Sequence, residues 1–356
     1  MAILGDWSLI GVYPQEIPYP LAATSLTAKT NADEMAKLLH PHANGAEHTA
    51  GYFVPFVTYG QTQTRHLYVL DTYNDRWALV TGASSGIGRE FAERLAGHGM
   101  HLILAARRTE QMNELAQELL TRHGTTSHIV TIDLATLDAG QRLHEEIQRL
   151  NVDVELVINN AGAGLIGDVE TTDPHRVRRM LTLNILTLTD LTYRLLPGML
   201  ERGHGAIINM SSVAAFQPVA FMGAYSASKS FILHFSEALW SEVRGRGVTV
   251  MALCPGVTET EFFTLAGAPG WLQKHTAQTP SQVVRKALKG LEKRRQYLIT
   301  SWKDYLITML VRMTTRRAAV NESKRYFRPG RRLADDDLSE QTDEDGVAKP
   351  DDHGPA

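Results

Sequence analysis

The fold of this chain is decided by the stretch Trp77-Ala78-Leu79-Val80-Thr81-Gly82-Ala83-Ser84-Ser85-Gly86-Ile87-Gly88. Its first five residues form a short apolar run that predicts a buried strand, and the amphipathic pattern that follows the loop predicts a helix. Gly82 permits a tight turn, Gly86 lets the backbone approach a pyrophosphate, and Gly88 lets the helix pack closely on the strand. The helix N-terminus adds amide donors and a positive dipole end. Strand, loop and helix in this order predict a dinucleotide-binding site, whose expected contacts in the loop are Gly82, Ser84, Ser85, Gly86, Ile87 and Gly88.

Outward from this loop, short apolar runs alternate with amphipathic stretches as far as Thr300. The alternation predicts an α/β Rossmann fold, a doubly wound parallel sheet of about seven strands with helices on both faces. The predicted strands are Trp77–Thr81, His101–Ala105, His128–Thr131, Leu156–Asn159, Ala206–Met210, Thr249–Leu253 and Tyr297–Thr300. The predicted helices are Gly88–His98, Thr109–Thr121, Leu137–Leu150, Pro174–Leu200, Tyr225–Arg244 and Pro280–Lys289.

The pattern divides the chain into four segments. Residues 1–75 are rich in Pro, Thr, His and Gly and form an extension of uncertain order, with a short helix expected near Ala32–Leu39 and a strand within Gly51–Leu70. Residues 76–300 form the Rossmann domain. Residues 301–333 mix bulky apolar side chains with lysine and arginine, which predicts a basic amphipathic helix. Residues 334–356 carry many acidic side chains, which predicts a disordered tail.

Two features of these outer segments have alternative interpretations. His40, His42 and His48 could bind a metal ion, but solvated loop histidines are the favoured interpretation, so we predict no metal site. The segment 301–317 either caps the core, forms an oligomer contact, or lies on a membrane surface as a peripheral helix.

The composition of the 356-residue chain excludes several classes of protein. A net charge of -3 provides no overall attraction to nucleic acid or to anionic membranes. The single cysteine, Cys254, excludes an intrachain disulfide and a multi-cysteine metal site. The N-terminal residues lack a basic region, Asp6 interrupts their apolar start, and no run of about 18 apolar residues occurs. We therefore expect a cytoplasmic protein that does not bind nucleic acid.

The end of the second predicted strand indicates which dinucleotide is bound. In Leu104-Ala105-Ala106-Arg107-Arg108, a neutral Ala106 lies where an acidic side chain would accept the adenosine ribose hydroxyls. A guanidinium suits a 2′-phosphate, so we assign this role to Arg107 and expect NADP(H), with NAD(H) as the alternative. The competing interpretation is that both arginines are solvated at a strand end.

Asp133 and Leu134 follow the third predicted strand. Asp133 is placed to accept a hydrogen bond from the adenine amino group, with Leu134 against the ring. A helix N-cap is the competing role for Asp133.

Tyr225 and Lys229 lie four residues apart in a predicted helix, and Ser212 precedes Tyr225 by 13 residues. A phenol, an ammonium and a hydroxyl at this spacing predict a proton donor, the group that tunes it, and a group that polarises a carbonyl. An unperturbed tyrosine has a pKa near 10 and is a poor base at neutral pH. Lys229 shares a helix face with Tyr225, and its charge, together with that of oxidised nicotinamide, is expected to lower the tyrosine pKa.

These residues, taken with Asn159-Asn160-Ala161-Gly162, Asn184 and Pro255-Gly256, closely resemble the short-chain dehydrogenase/reductase family. The resemblance covers about Trp77 to Thr300 and follows the family's order and spacing. It implies that Tyr225 is the catalytic acid/base and that Lys229 also holds the nicotinamide ribose. It implies that Ser212 donates to the substrate oxygen. It further implies that Asn184 keeps a water in a proton relay, whereas a kink or a buried cap is its structural alternative.

The resemblance also extends the cofactor site and implies an assembly. Asn160-Ala161-Gly162 would leave room for the cofactor, whereas Asn159 is expected to bond neighbouring strands. Pro255-Gly256 would turn the chain beside the nicotinamide, with Val257 and Thr260 near its carboxamide. Family members pair through long helices that correspond to Pro174–Leu200 and Tyr225–Arg244, which implies a homodimer or homotetramer.

The segment from Glu259 to Gln278 occupies the place where this family varies its substrate lid. Its apolar content predicts a hydrophobic carbonyl or alcohol substrate, although core packing accounts for part of it equally well. We therefore predict an NADP(H)-dependent oxidoreductase with Tyr225 as general acid/base. The alternative is a catalytically silent nucleotide-binding regulatory or interaction protein on the same scaffold. The apolar lid residues are Phe262, Phe263, Leu265, Trp271 and Leu272, with Gly267 and Gly270 as hinges.

Overall fold

The structure is a computed structural model that describes residues 72–269, 271–274 and 276–327. The expectations for the helix near Ala32–Leu39, the strand within Gly51–Leu70, the histidine cluster and the acidic tail lie outside the described residues. So do Gly270 and the side chain of Trp271.

Seven parallel strands form one sheet in the described part of the chain. Their order is β3-β2-β1-β4-β5-β6-β7. Strands β4, β5 and β6 are buried at every position, as expected for parallel strands that helices cover on both faces. The predicted doubly wound sheet is confirmed. The strands are β1 (Trp77–Thr81), β2 (His101–Ala106), β3 (Ser127–Thr131), β4 (Val154–Asn159), β5 (Gly205–Met210), β6 (Val248–Cys254) and β7 (Tyr297–Ile299).

Helices cover both faces of this sheet because alternate strand residues point to opposite sides. In β1, Ala78 and Val80 pack in one apolar core, and Leu79 packs in the other. Asn159 donates to Asn209 at 2.9 Å, which joins β4 to β5 as expected. The α-helices within the described ranges are α1 (Gly86–Gly97), α2 (Thr109–His123), α3 (Ala139–Arg149), α4 (Pro174–Leu181), α5 (Leu188–Arg202), α6 (Gly223–Val243), α7 (Phe262–Leu265), α8 (Pro280–Glu292), α9 (Trp302–Met313) and α10 (Arg316–Phe327).

The strand order reverses between β1 and β4. The chain runs from β1 outward to β3, then returns to the other side of β1 through α3. In open α/β sheets, ligands bind in the crevice beyond the carboxyl ends of the strands at such a point. The loops after β1, β4, β5 and β6 therefore define the region of the candidate site.

The helix predicted over Pro174–Leu200 is interrupted. A π-helical turn, Thr182–Thr187, separates α4 from α5. Asn184 lies in this turn, and its buried side chain bonds to groups outside the helix. Such turns are common at functional sites, and apolar spacing alone does not reveal them.

The basic segment after residue 301 forms two helices where one was predicted. Helix α9 ends at Met313, the backbone of Thr314 is extended, and Thr315 accepts a hydrogen bond from Ala318 N at 3.3 Å as α10 begins. Helix α10 returns to the main domain, where Ser323 Oγ accepts from Ala220 N at 3.0 Å. None of the helices within the described ranges combines the length and apolar character that crossing a bilayer requires.

Candidate active site

Three glycines shape the loop between β1 and α1. Gly82 and Gly86 have φ angles of 66° and 57°, in the left-handed region that favours glycine. A Cβ atom on Gly88 would lie 2.3 Å from the carbonyl oxygen of Gly82, so a side chain there would separate α1 from the loop. The Ser85 side chain does not cap α1, and the first turn contains no acidic residue. The start of α1 therefore presents amide donors and the positive dipole end to an anion.

The loop after β4 holds the glycine-rich loop in place. The Asn160 side-chain amide donates to the carbonyl oxygens of Thr81 at 2.9 Å and Gly82 at 3.3 Å. Thr81 Oγ1 accepts from the backbone N of Asn160 and of Ala161, both at 3.0 Å. Asn160, Ala161 and Gly162 line the cleft as expected, but the Asn160 amide is engaged by protein carbonyls.

The two arginines after β2 have different surroundings. Arg107, the predicted phosphate ligand, is exposed, lines the cleft and has no hydrogen bond or ion pair with the described residues. Arg108 donates to Ser84 Oγ at 3.2 Å and to Ser85 Oγ at 2.5 Å. Its third partner is the carboxylate of Glu261, at 3.0 Å. Arg108 is thus the guanidinium that contacts the glycine-rich loop, a role that the sequence assignment to Arg107 did not include.

An arginine on α4 binds the carboxylate of Asp133. Arg179 donates to Asp133 at 2.7 Å, and the backbone N of Ala135 donates to it at 3.0 Å. Burial acts to raise the pKa of Asp133, but these hydrogen bonds and the charges of Arg179 and Arg107 hold that pKa below its usual value. The bond to Ala135 closes a short turn and does not cap α3. Asp133 and Leu134 both line the cleft, as expected of the adenine end.

Tyr225, Lys229 and Ser212 lie together at the opposite end of the cleft. Tyr225 and Lys229 are one turn apart on α6, and Lys229 Nζ is 5.7 Å from the centroid of the Tyr225 ring. Their exposed fractions are 7% and 3%. Ser212 follows β5, its Oγ accepts from Ala214 N at 3.1 Å, and its hydroxyl interacts with that of Tyr225. The structure thus brings the three predicted catalytic side chains into one place.

Burial controls the protonation of these groups. It raises the pKa of Tyr225 to about 12, although the Ser212 hydroxyl acts to lower it. It lowers the pKa of Lys229 to about 8, while Cys254 acts in the opposite direction. Burial outweighs the lowering effect of the Ser212 hydroxyl on the Tyr225 pKa, and the lowering expected from Lys229 together with oxidised nicotinamide stays a prediction.

Asn184 and Lys229 border the same small space beside Gly162. A Cβ atom on Gly162 would lie 3.4 Å from both Asn184 Oδ1 and Lys229 Nζ. Lys229 Nζ donates to the carbonyl oxygen of Met210 at 2.8 Å. The Asn184 amide accepts from Ala163 N and donates to Ala163 O, both at 3.0 Å, so it fixes the loop after β4. The water relay assigned to Asn184 by resemblance stays a prediction.

The loop after β6 lies between the two ends of the cleft. Thr260 packs on the glycine-rich loop, with its Cγ2 3.0 Å from the position of a Cβ on Gly86. Gly256 packs against α9, where an added Cβ would lie 2.0 Å from the Asp304 carboxylate. The predicted cofactor residues of this loop that line the cleft are Pro255, Gly256, Val257 and Thr260.

Apolar side chains from distant segments surround the Tyr225 end. The Phe262 ring of the lid lies 5.4 Å from the Tyr225 ring, centroid to centroid. Phe327, at the end of α10, lines the cleft and belongs to the apolar cluster that contains Tyr225. No spacing or motif connects Phe327 to Tyr225 in the sequence, so this contact was not predicted. Of the described apolar lid side chains, Phe262, Phe263 and Leu265 line the cleft and Leu272 does not.

One cleft with a volume of about 650 Å³ joins the arginine end to the Tyr225 end. This volume is in the usual range for small-molecule sites. The left-handed glycines, the uncapped start of α1 and the arginines suit phosphate groups, and Ala106 leaves space at the ribose position. The residues present therefore fit an extended dinucleotide whose nicotinamide lies near Tyr225.

Comparisons with known proteins relate this site to characterised enzymes. A family model described as short chain dehydrogenase matches residues 76–268. The human very-long-chain 3-oxoacyl-CoA reductase is 32% identical over 244 residues, which cover 66% of this chain and 75% of that protein. Sulfoacetaldehyde reductase 2 of Chromohalobacter salexigens is 39% identical over 189 residues, or 52% of this chain and 73% of that protein. A solved short-chain dehydrogenase from Sphingobium yanoikuyae in complex with NADPH has a TM-score of 0.61 and 30% identity, covering 73% of this chain and 97% of that chain.

Proposed function

The chain belongs to the short-chain dehydrogenase family, and on that premise we propose that it is an NADP(H)-dependent reductase of hydrophobic carbonyl compounds. As a member of this family it is an oxidoreductase that acts on CH–OH and C=O groups with NAD(P). The observation that carries the finer proposal is a single cleft with arginines at one end and apolar side chains around Tyr225 at the other.

The charges at the adenine end support NADP(H). Arg107, Arg108 and Arg179 lie there, and Arg176 lines the same cleft. Arg108 and Arg179 are paired with carboxylates, whereas Arg107 and Arg176 have no ion pair among the described residues. Guanidinium groups bind phosphate through charged, directional hydrogen bonds. The NADPH complex of the Sphingobium relative is consistent with the same cofactor here.

The catalytic end supports carbonyl reduction. When bound, NADPH supplies the hydride that is added to the carbonyl carbon. Tyr225, whose pKa is raised to about 12, holds its proton at neutral pH and donates it to the carbonyl oxygen. The Ser212 hydroxyl donates to the same oxygen as negative charge develops on it. Lys229 provides the positive charge that stabilises the tyrosine after it has lost the proton.

The lining of the cleft supports a hydrophobic substrate. The names of the two relatives indicate very different compounds, a very-long-chain 3-oxoacyl-CoA and sulfoacetaldehyde, so these relatives do not decide the substrate class. The side chains around Tyr225 favour a hydrophobic substrate, because they are large and apolar. The apolar cluster of Tyr225 contains Leu165, Met180, Met222, Phe262 and Phe327, and the lid adds Phe263 and Leu265 to the lining of the same cleft.

The proposal is tested with the full chain. NADPH and NADH binding are measured by fluorescence, followed by NADPH oxidation with a panel of carbonyl compounds of increasing length. Tyr225→Phe should abolish turnover and leave NADPH binding nearly unchanged. Tyr193→Phe, at an exposed position on α5, is the matched control and should retain activity. Tight NADPH binding without turnover of any carbonyl would favour the silent nucleotide-binding alternative, and retained activity in Tyr225→Phe would contradict the mechanism.

We propose further that α9 contacts an anionic membrane surface. Its exposed apolar side chains include Trp302, Leu310 and Met313, with exposed fractions of 69%, 60% and 85%. Basic residues Lys303 and Arg312 lie on the same helix, a combination typical of interfacial helices. Flotation with anionic vesicles should carry the full chain upward. A triple Trp302→Ser, Leu310→Ser, Met313→Ser variant should stay at the bottom, and equal flotation of both would contradict this contact.

We propose that the chain forms a homodimer or homotetramer through the helices that the family resemblance implies, which lie within Pro174–Leu200 and Tyr225–Arg244. Leu186 in the π turn, Tyr193 on α5 and Phe231 on α6 have exposed fractions of 50%, 62% and 41%. Large apolar side chains on a free surface often mark a protein contact. Sedimentation analysis should show a dimer or tetramer that Phe231→Asp dissociates, and a monomeric wild-type chain would contradict the proposal.

A further inference from the structure

The carboxylate of Glu261 lies at the anion-binding end of the cleft. Glu261 Oε2 accepts from Arg108 Nη1 at 3.0 Å and from Ser85 Oγ at 3.3 Å. Arg108 also donates to the Ser84 and Ser85 hydroxyls, so the four side chains form one connected network. A guanidinium and hydroxyl donors around one anionic oxygen are also what a phosphate monoester requires.

Glu261 is covalently linked to the substrate end of the same cleft. The next residue, Phe262, places its ring 5.4 Å from that of Tyr225, centroid to centroid. The Phe262 ring also covers Gly164, where an added Cβ would lie 2.4 Å from Cζ. Phe262 is therefore a direct link in the chain between the Arg108 network and Tyr225.

We propose that Glu261 competes with the 2′-phosphate of the cofactor for Arg108, and that its displacement releases Phe262 from Tyr225. This inference rests on the proposed use of NADP(H). Glu261 is then a positioning residue with two effects. It weakens binding of the phosphorylated cofactor specifically, and it keeps the lid over Tyr225 until that cofactor arrives.

The exposure of the Arg108–Glu261 ion pair determines how much the competition should change the affinity for phosphate. The Arg108 and Glu261 side chains are 40% and 55% exposed. Ion pairs of this exposure are weak, whereas a phosphate monoester carries a charge of about -1.5 to -2 at neutral pH. The phosphate can therefore displace the carboxylate, and removing the carboxylate should tighten phosphate binding by about two- to fivefold.

The competition is tested with two cofactor fragments, adenosine 2′,5′-bisphosphate and 5′-AMP, titrated calorimetrically into the full chain. Glu261→Gln should bind the bisphosphate about two- to fivefold more tightly than wild type and bind 5′-AMP equally. Glu259→Gln is the matched control, since Glu259 is exposed in the same loop and has no ion pair with the described residues. It should match wild type with both fragments. Equal bisphosphate binding by wild type and Glu261→Gln, or the same gain in Glu259→Gln, overturns the competition.

The link to the lid is tested by hydrogen exchange at the amides of Leu265 and Ala266, which donate to Glu261 O and Phe262 O at 3.0 Å and 2.8 Å. The bisphosphate should speed their exchange in wild type, and Glu261→Gln should exchange faster without any fragment. Unchanged exchange in both cases overturns the release of Phe262. A wild-type chain that binds bisphosphate and 5′-AMP equally contradicts the NADP(H) assignment itself, and this result needs no variant.

Discussion

Replacing Lys229 with methionine should stabilise the fold at neutral pH while abolishing turnover. Lys229 has an exposed fraction of 3%, and burial lowers the pKa of its ammonium from 10.5 to about 8. At about 1.4 kcal/mol per pKa unit, this shift corresponds to about 3 kcal/mol against the charged form. Loss of the hydrogen bond to Met210 O offsets about 1–2 kcal/mol of that gain. We therefore expect the free energy of unfolding to rise by about 1–2 kcal/mol at pH 7.

The same shift fixes the sign of the pH dependence. The pKa of Lys229 is lower in the folded state than in the unfolded state, so folding of the wild-type chain opposes protonation of this amine. The resulting loss of stability is complete below about pH 8 and disappears as the pH rises to 10.5. The stability advantage of Lys229→Met should therefore shrink across this window.

Urea unfolding followed by circular dichroism at pH 7, 8.5 and about 10 measures both effects. Lys286→Met is the control, because Lys286 also donates to a backbone carbonyl, that of Thr300 at 2.6 Å, but is only partly buried. It should be destabilising at every pH. A Lys229→Met variant that is no more stable than wild type at pH 7, or whose advantage is constant to pH 10, would refute the reasoning.

Three further substitutions test other parts of the site. Gly88→Ala should destabilise the fold and abolish NADPH binding, because the added Cβ would lie 2.3 Å from Gly82 O. Thermal unfolding measures the loss of stability, and cofactor fluorescence measures the loss of binding. Unchanged NADPH binding would contradict the prediction. Ser212→Ala should lower kcat by about 10²–10³-fold, because a donor to the substrate oxygen is lost. It should also shift the pH–rate profile to higher pH, because the Ser212 hydroxyl acts to lower the Tyr225 pKa. An unshifted profile would argue against that role of Ser212. Phe327→Ala should raise KM for bulky hydrophobic ketones more than for small ones. The control Tyr305→Ala, at an exposed position on α9 that does not line the cleft, should affect neither; equal changes for both ketone classes in Phe327→Ala would exclude Phe327 as a substrate contact.

Much of the fold could be predicted from short stretches of the sequence. The strand before Gly82 and the helix after it each produce their own periodicity, and glycine is required where the backbone turns to positive φ. The i,i+4 spacing likewise placed Tyr225 and Lys229 on one face of α6. The break at the π turn was missed, because the side-chain bonds of Asn184 join segments that no periodic pattern relates.

The adenine end shows what local reasoning does not reach. The residue types after β2 indicated a phosphate site, and the assignment to Arg107 stays a prediction, but it did not include Arg108, whose partner Glu261 lies 153 residues away in sequence. The engagement of Asp133 by Arg179 was likewise not apparent from the sequence. Long charged side chains form ion pairs with groups that lie near them in the folded chain, and a single sequence does not show which residues are near one another.

The sequence by itself determined the sheet, the glycine-rich loop and the chemistry proposed for Tyr225, Lys229 and Ser212, because each depends on short spacings and on backbone conformation. Only the tertiary structure decided the protonation of these groups, since the depth of burial raises the pKa of Tyr225 to about 12 and lowers that of Lys229 to about 8. It also decided that Phe327 lines the substrate end and that Glu261 meets Arg108. Burial and long-range contacts are properties of the packed chain, and they exist only once segments far apart in sequence have come together.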